Sequence, residues 1–210
     1  MTSGATPQGA SLRLFVAIEL PETWKQALER VQQAMQQEMS ADASLSKVKV
    51  RWVRPEGIHL TLKFIGNVPA ERVSSIEFAI ASAVPAEPGI ELSLDRTGAF
   101  SDKRAPRVII ATVGVGGGYQ RLQRLAESIE TWLAPAGVPR ERRTFTPHLT
   151  LARLPVNIAA ATRQTLADVT NRVQSPQAPA LQVTSVSLMR SHLGPGGARY
   201  ERLAAFPTLT

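Results

Sequence analysis

The sequence predicts an α+β fold: two pseudo-twofold-related lobes, each an antiparallel β-sheet with helices on its outer face, and a cleft between them. Three observations carry this expectation. Strand-type alternation and helix-type 3.6-residue periodicity take turns along the chain. Pro- and Gly-containing turns separate short strands, as hairpin-like connections do. The order also restarts halfway: His59-Leu60-Thr61-Leu62 recurs as His148-Leu149-Thr150-Leu151, inside matching strand-helix-strand-helix-strand units. Neither half has much core alone, so the two must pack on each other.

Taken in order, Leu12 to Glu19 is an apolar strand. Pro21 to Met39 is a helix, with Trp24, Ala27, Leu28, Val31 and Met35 along one stripe and Pro in its first turn. Lys47 to Val53 alternates Val48, Val50 and Trp52 as a strand, and Trp52 reads as core. Pro55-Glu56-Gly57 is a turn, Ile58 to Ile65 a strand, Pro69 to Val84 a helix and Ile90 to Thr97 a strand. The second unit runs as strand Arg107 to Val113, glycine turn Gly114 to Gly118, helix Tyr119 to Leu133, strand Phe145 to Arg153, helix Ile158 to Val173 and strand Leu181 to Met189. A last strand, Tyr200 to Phe206, follows a Gly-Pro-Gly-Gly turn. The repeat thus spans about 11–97 and 105–190, with a C-terminal strand at 199–206, in one bilobal domain over 11–210. Arg13 to Ala17 aligns with Arg107 to Ala111, and Leu92-Ser93-Leu94 with Leu181-Gln182-Val183. Residues 1–10 are polar, with neither the charged nor the apolar region of a signal peptide, and read as a disordered tail.

Composition narrows the chemistry. The 210 residues include no cysteine, which removes disulfides, thiolate metal sites and a Cys nucleophile and fits a cytoplasmic protein. No apolar run approaches the roughly 20 residues that span a bilayer. The net charge is +7, and 19 of the 24 basic residues are Arg. Guanidinium forks suit phosphate, yet GC-rich coding alone produces Arg-rich chains, so charge decides nothing by itself.

The repeated tetrapeptide carries more. A given His is followed by Leu-Thr-Leu with odds of about one in a thousand, so two such matches are not chance. Strand alternation places His59, Thr61 and Lys63 on one face and Leu60, Leu62 and Phe64 on the other. His148 and Thr150 share a face in the same way. The pseudo-twofold can bring the two polar faces together across one cleft. In-line attack at phosphorus needs a proton removed from water on one side and a proton given to the leaving oxygen on the other, which two imidazoles can do. Threonine hydroxyls can donate to the non-bridging oxygens. A single such histidine would read as a hydrogen-bonded core residue; two at matching places in a repeat read as function.

The segments RLFVAI, RWVRPEGIHLTLKFIGNV, GAFSDKRAPRV, RRTFTPHLTLAR and SLMRSHLGPGGARYERLAAF resemble the two-histidine phosphoesterase superfamily from Arg13 to Phe206. Within it they are similar to the RNA 2′,3′-cyclic phosphodiesterases, long called 2′-5′ RNA ligases. The resemblance implies His59 as proton donor, His148 as proton acceptor, Thr61, Thr150 and Arg153 as phosphate ligands, and Phe15 as an aromatic near the nucleobase. Arg153 has the opposite parity to His148, so it needs a bulge or a strand end to reach the phosphate. The resemblance further implies hydrolysis of the 3′ ester to leave a 2′-phosphate, with a weak ATP-independent reverse ligation. No cofactor and no metal are expected. The partner is RNA with 2′,3′-cyclic phosphate ends, tRNA fragments and nucleotides included, acted on by a monomer away from membranes.

Other features are weaker. Gly114 to Gly118 lacks the G-x-G-x-x-G spacing of a phosphate cradle and reads as a turn. Arg140, Arg142 and Arg143 fit an RNA backbone or a solvated face equally well, as do Lys103, Arg104 and Arg107. His192 reads as a loop histidine. The competing readings are a phosphodiesterase for small cyclic phosphates or 2′-5′-linked oligonucleotides, and an idle RNA-binding module. A metal protein is the weakest, since two distant histidines without nearby acids make a poor ligand set.

Overall fold

The structure is a computed structural model that describes residues 11–84, 89–102, 105–155, 158–195 and 197–208. The expected N-terminal tail and the basic pair Lys103 and Arg104 lie outside the described residues. The elements run β1 (Ser11–Glu19), α1 (Glu22–Ala41), β2 (Arg51–Trp52), β3 (His59–Pro69), α2 (Val73–Ala83), β4 (Glu91–Leu92), β5 (Leu94–Asp102), β6 (Ala105–Val113), α3 (Gly117–Leu133), β7 (His148–Arg153), α4 (Ala160–Arg172), β8 (Leu181–Gln182), β9 (Ser185–Gly194) and β10 (Gly197–Pro207). None of the described helices is long and apolar enough to cross a membrane.

Antiparallel pairing joins seven strands in the order β10-β9-β1-β3-β7-β6-β5, with β2 added beside β7. One curled sheet therefore runs through both lobes, and the seam between them is β3 against β7. The strands at the ends of the two repeats are exchanged: β9 from the second copy pairs with β1, and β5 from the first copy pairs with β6. Neither copy closes its own sheet, which is the structural form of the thin core each half has by itself. The helices cross as well, α1 packing on α4 and α2 on α3. One core unites them, with Trp24, Leu28 and Met35 of α1, Leu122 and Ile129 of α3, and Leu60, Leu149 and Leu151 of the seam strands, all nearly or fully buried. At about 25 cal/mol per Å² of apolar surface removed from water, this core is the dominant stabilising term.

Two positions lie on the pseudo-twofold. Leu60 pairs with Leu149 across the β3–β7 seam, and Leu92 pairs with Leu181 in the small β4–β8 sheet. Both pairs join residues that the sequence repeat makes equivalent, as residues beside a twofold must be.

Several boundaries move for identifiable reasons. The stretch Lys47 to Val53 contributes only two residues to the sheet, because Val48 N–H and Val50 N–H bond back to Leu45 and Val48 carbonyls and turn the chain on itself. Ile90 to Thr97 is two strands, one in each sheet, and Leu181 to Met189 divides in the same way. The glycine run serves close approach: a Cβ on Gly118 would lie 1.7 Å from the Glu91 carbonyl oxygen, so α3 can start against β4 only with Gly there. His192 lies in β9 rather than in a loop, its Nε2 2.7 Å from a Glu201 carboxylate oxygen. The repeat alignment of the first strands is off by one residue. Phe15 faces Phe64 and Val108 faces Arg153, so Val108, not Ile109, is the structural counterpart of Phe15. Ile109 is fully buried in the core. A one-residue slip in a strand exchanges its two faces, and the apolar runs of β1 and β6 have no alternation to fix the register.

Candidate active site

The β3–β7 seam places the two His-x-Thr motifs side by side. Around the Leu60–Leu149 pair, the antiparallel register sets His59 across from Thr150 and Thr61 across from His148. The leucines point into the core at 1% exposure or less, and the histidines and threonines occupy the opposite, half-buried face. The two imidazoles are held alike. His59 Nδ1 lies 2.9 Å from the Gly57 carbonyl oxygen and His148 Nδ1 lies 2.8 Å from that of Thr146, in each case two residues back. A carbonyl only accepts, so each Nδ1 carries the hydrogen, and Nε2 is the nitrogen that can exchange a proton with a ligand.

Their surroundings differ. The His59 ring sits 4.7 Å from the Phe15 ring and 4.8 Å from that of Tyr200, centroid to centroid. Burial is the first cause that pulls the His59 pKa below the ordinary histidine value. Its bond to the Gly57 carbonyl pushes the other way, the Arg153 charge lowers it, Glu19 raises it and His148 lowers it. Glu19 faces His59 across the β1–β3 ladder and accepts hydrogen bonds from Ser187 Oγ at 2.6 Å and Arg202 at 3.2 Å. That carboxylate is thus fixed where it favours an imidazolium.

Two bulges re-aim the strands just past the motifs. Val16 faces Lys63 and Ala17 faces Thr61, so Leu62 is the extra residue in β3; Ile109 faces Ala152 and Ile110 faces Thr150, so Leu151 is the extra residue in β7. The β7 bulge restores Arg153 to the face of His148 and Thr150, and the guanidinium influences His59 from there. The β3 bulge overturns the expected alternation. Lys63 turns away from His59 and Thr61 into the protein, where its ammonium bonds Glu130 and the Pro139 carbonyl, both at 2.7 Å. Phe64 turns outward at 58% exposure, its ring 6.3 Å from Phe15. Five residues after its histidine, each motif thus presents a side chain on the cleft face, Phe64 in one and Arg153 in the other. Helices hold both bulges: α1 sends Gln32 to the Leu151 and Val53 carbonyls at 2.9 and 2.8 Å, and α3 sends Glu130 to Lys63.

Phe15 lies in a small cluster with Ala17 and Met189, capped by Tyr200, and is only 3% exposed. It forms a wall beneath His59. Glu19, Phe64 and Tyr200 were missed by sequence reasoning. Glu19 shares strand parity with Phe15 and was findable; Phe64 depended on a bulge and Tyr200 on the fold. Arg51, facing Arg153 across β2 and β7, was missed too. Two cations set opposite each other repel unless an anion lies between them.

A family model described as LigT like Phosphoesterase matches residues 18–110 and 113–200, both copies of the repeat. This chain belongs to that family. A Methanothermobacter thermautotrophicus protein named RNA 2′,3′-cyclic phosphodiesterase is 30% identical over 195 residues, 93% of this chain and 98% of that one. A protein of the same name from Archaeoglobus fulgidus is 29% identical over 93% of this chain and 99% of its own length. Among solved structures, Escherichia coli LigT complexed with 3′-AMP aligns over 96% of this LigT-like phosphoesterase and all of that chain, with a TM-score of 0.70 at 25% identity. The antiparallel sheet with helices on its outer face and the cleft between its lobes are those of the family.

Proposed function

We propose that this protein opens the 2′,3′-cyclic phosphate at an RNA 3′ end by general acid–base catalysis, leaving a 2′-phosphomonoester. The observation that carries the reading is the face-to-face pair of His-x-Thr motifs, each with its Nδ1 bonded to a carbonyl, which assigns proton exchange to Nε2. The names borne by the archaeal relatives support the substrate. Water enters on the side of His148, whose neutral Nε2 takes a proton as the oxygen attacks phosphorus. The bond from phosphorus to the 3′ oxygen breaks in line, and the His59 imidazolium gives its Nε2 proton to that oxygen. Burial weakens the hold of His59 on its proton, which makes it a stronger acid once the phosphate has charged it. Thr61, Thr150 and Arg153 hold the non-bridging oxygens, where negative charge gathers. Phe15 serves as a wall that orients His59 beside the sugar and base. With a 5′-hydroxyl in place of water, the same steps give a slow 2′-5′ ligation without ATP.

The decisive assay is end-group analysis of an oligonucleotide with a 2′,3′-cyclic phosphate. A 2′-phosphate product supports the proposal; a 3′-phosphate or no product refutes it. Because two imidazoles supply both proton transfers, the rate should be unchanged by EDTA, and loss of activity restored by a divalent ion would overturn the mechanism.

The pH dependence has a definite sign. An active pair needs one imidazolium and one neutral ring, so both kcat and kcat/KM should be bell-shaped. A bound phosphate anion stabilises the charged form of either histidine and raises the pKa of the coupled pair. The bell for kcat, which reports the complex, should therefore lie at higher pH than the bell for kcat/KM, which reports the free enzyme. Coincident bells measured on one cyclic mononucleotide would show that neither histidine meets the phosphate.

A further inference from the structure

A groove leaves the catalytic pair on the side of His148 and Thr61. It is about 540 Å³ in volume, and Phe64 and the segment 141–146 are part of its lining. A second hollow of about 400 Å³ continues it, sharing Phe64, Arg142 and Arg143 and ending at Arg140. The two together have the capacity of a small-ligand site or more. Their charge is only slightly positive overall, four cations against three carboxylates. The distribution matters more than the sum. Lys63 is tied to Glu130, and Arg140 pairs with Glu127 at 3.1 Å. Arg142 and Arg143 line both hollows as well, and they are exposed, as is Glu141 before them.

Phe64 itself calls for a ligand. Phe15 and Tyr200 pack against His59 and against each other, and Phe64 meets this group only through Phe15, ring centroids 6.3 Å apart. Phe64 is turned out of the sheet by the Leu62 bulge, keeps more than half of its surface in water and lines the same two hollows as Arg142 and Arg143. An exposed ring that shares a groove with guanidinium groups, opening from a phosphodiester site, is what single-stranded nucleic acid uses: bases stack on the ring whatever their identity, and the cations follow the backbone.

We propose that this groove carries the single-stranded RNA leading to the cyclic phosphate, with Phe64 stacking a base and Arg142 and Arg143 meeting the phosphates upstream of the reacting one. This rests on the function proposed above and makes an oligonucleotide end, rather than a cyclic mononucleotide, the preferred substrate. A base that stacks on Phe64 has left its duplex, so the strand is unpaired there.

The test compares kcat/KM on a hexaribonucleotide ending in a 2′,3′-cyclic phosphate with kcat/KM on a 2′,3′-cyclic mononucleotide, for the wild type, an Arg142→Ala/Arg143→Ala double variant, its Arg142→Lys/Arg143→Lys counterpart and Phe64→Ala. The wild type should favour the hexamer. The ratio of the two values should fall at least about tenfold in the Ala double variant and in Phe64→Ala, while the Lys variant keeps most of it. The salt dependence of hexamer binding should also flatten in the Ala double variant, by roughly one unit of slope for each phosphate that is no longer neutralised. These side chains are exposed, and a thermal melt confirms that each variant is folded. An unchanged ratio in a folded, active variant overturns the groove assignment alone. A wild type that opens neither substrate overturns the function on which it rests.

Discussion

Replacing His148 by Ala should lower the rate of cyclic phosphate opening by about 10²–10⁴-fold, and replacing His59 by Ala should do the same, since in the proposed mechanism each supplies one positioned proton transfer. The two losses should not multiply in the double variant, because the residues act as one unit on one in-line displacement. Leaving-group chemistry separates the roles. A phosphodiester whose departing oxygen is a weak base needs little protonation, so such a substrate should rescue His59→Ala far more than His148→Ala. The attacking water still needs its proton removed, and nothing about the leaving group provides that. The measurement is single-turnover hydrolysis of an activated and an unactivated diester by the three proteins. Equal rescue of both single variants would remove the assignment of donor and acceptor. A ring held by its Nδ1 to a backbone carbonyl also makes a geometric demand. Gln in place of either histidine can offer a hydrogen bond but no proton-relaying nitrogen, so it should be nearly as inactive as Ala.

Lys63→Met should destabilise the fold by about 3 kcal/mol, at the low end of what removing one partner of a buried ion pair costs. The low end applies because Glu130 keeps 13% of its side-chain surface in water while Lys63 keeps 1%. Glu130 would lose its ammonium partner and, among the described residues, retain the Glu141 backbone N–H. The Pro139 carbonyl would lose its donor as well. For a chain of this length the melting temperature should fall by roughly 6–12 °C. Adding Glu130→Gln to Lys63→Met should recover part of the loss, because the uncompensated carboxylate is then gone. A loss of unfolding free energy below about 1 kcal/mol by denaturant unfolding would mean that water or a rearranged side chain solvates Glu130, and that the pair does not hold the strand. The consequence reaches the site. Lys63 is two residues beyond Thr61, and Glu130 and Pro139 belong to the helix and segment that lead to His148. One ion pair thus fastens the strand of the first motif to the approach of the second.

The sequence by itself determined the parts of this protein that depend on local pattern and on self-similarity. The strand-helix order of both copies, the α+β class and the two His-x-Thr motifs all follow from periodicity and from a tetrapeptide that occurs twice. Even the Leu60–Leu149 contact at the centre is implicit there, since equivalent residues beside a twofold must meet. The need for a bulge before Arg153 was legible too, as a conflict between strand parity and the role the residue resembles.

Tertiary structure alone decided what pairing decides. A bulge is a difference in count between two strands, and neither strand contains it separately; the one at Leu62 exchanged Lys63 and Phe64 between core and cleft. The offset between β1 and β6 was lost because both are buried runs without alternation, so that only their ladders to β3 and β7 fix which face is which. Tyr200 and Ser187 come to His59 and Glu19 from the far end of the chain, because the second copy lends its last strand to the first. The two His-x-Thr motifs are four residues of two short strands; the asymmetry of the site, one histidine walled by aromatics and the other opening on a groove, is set by which strands the fold lays beside them.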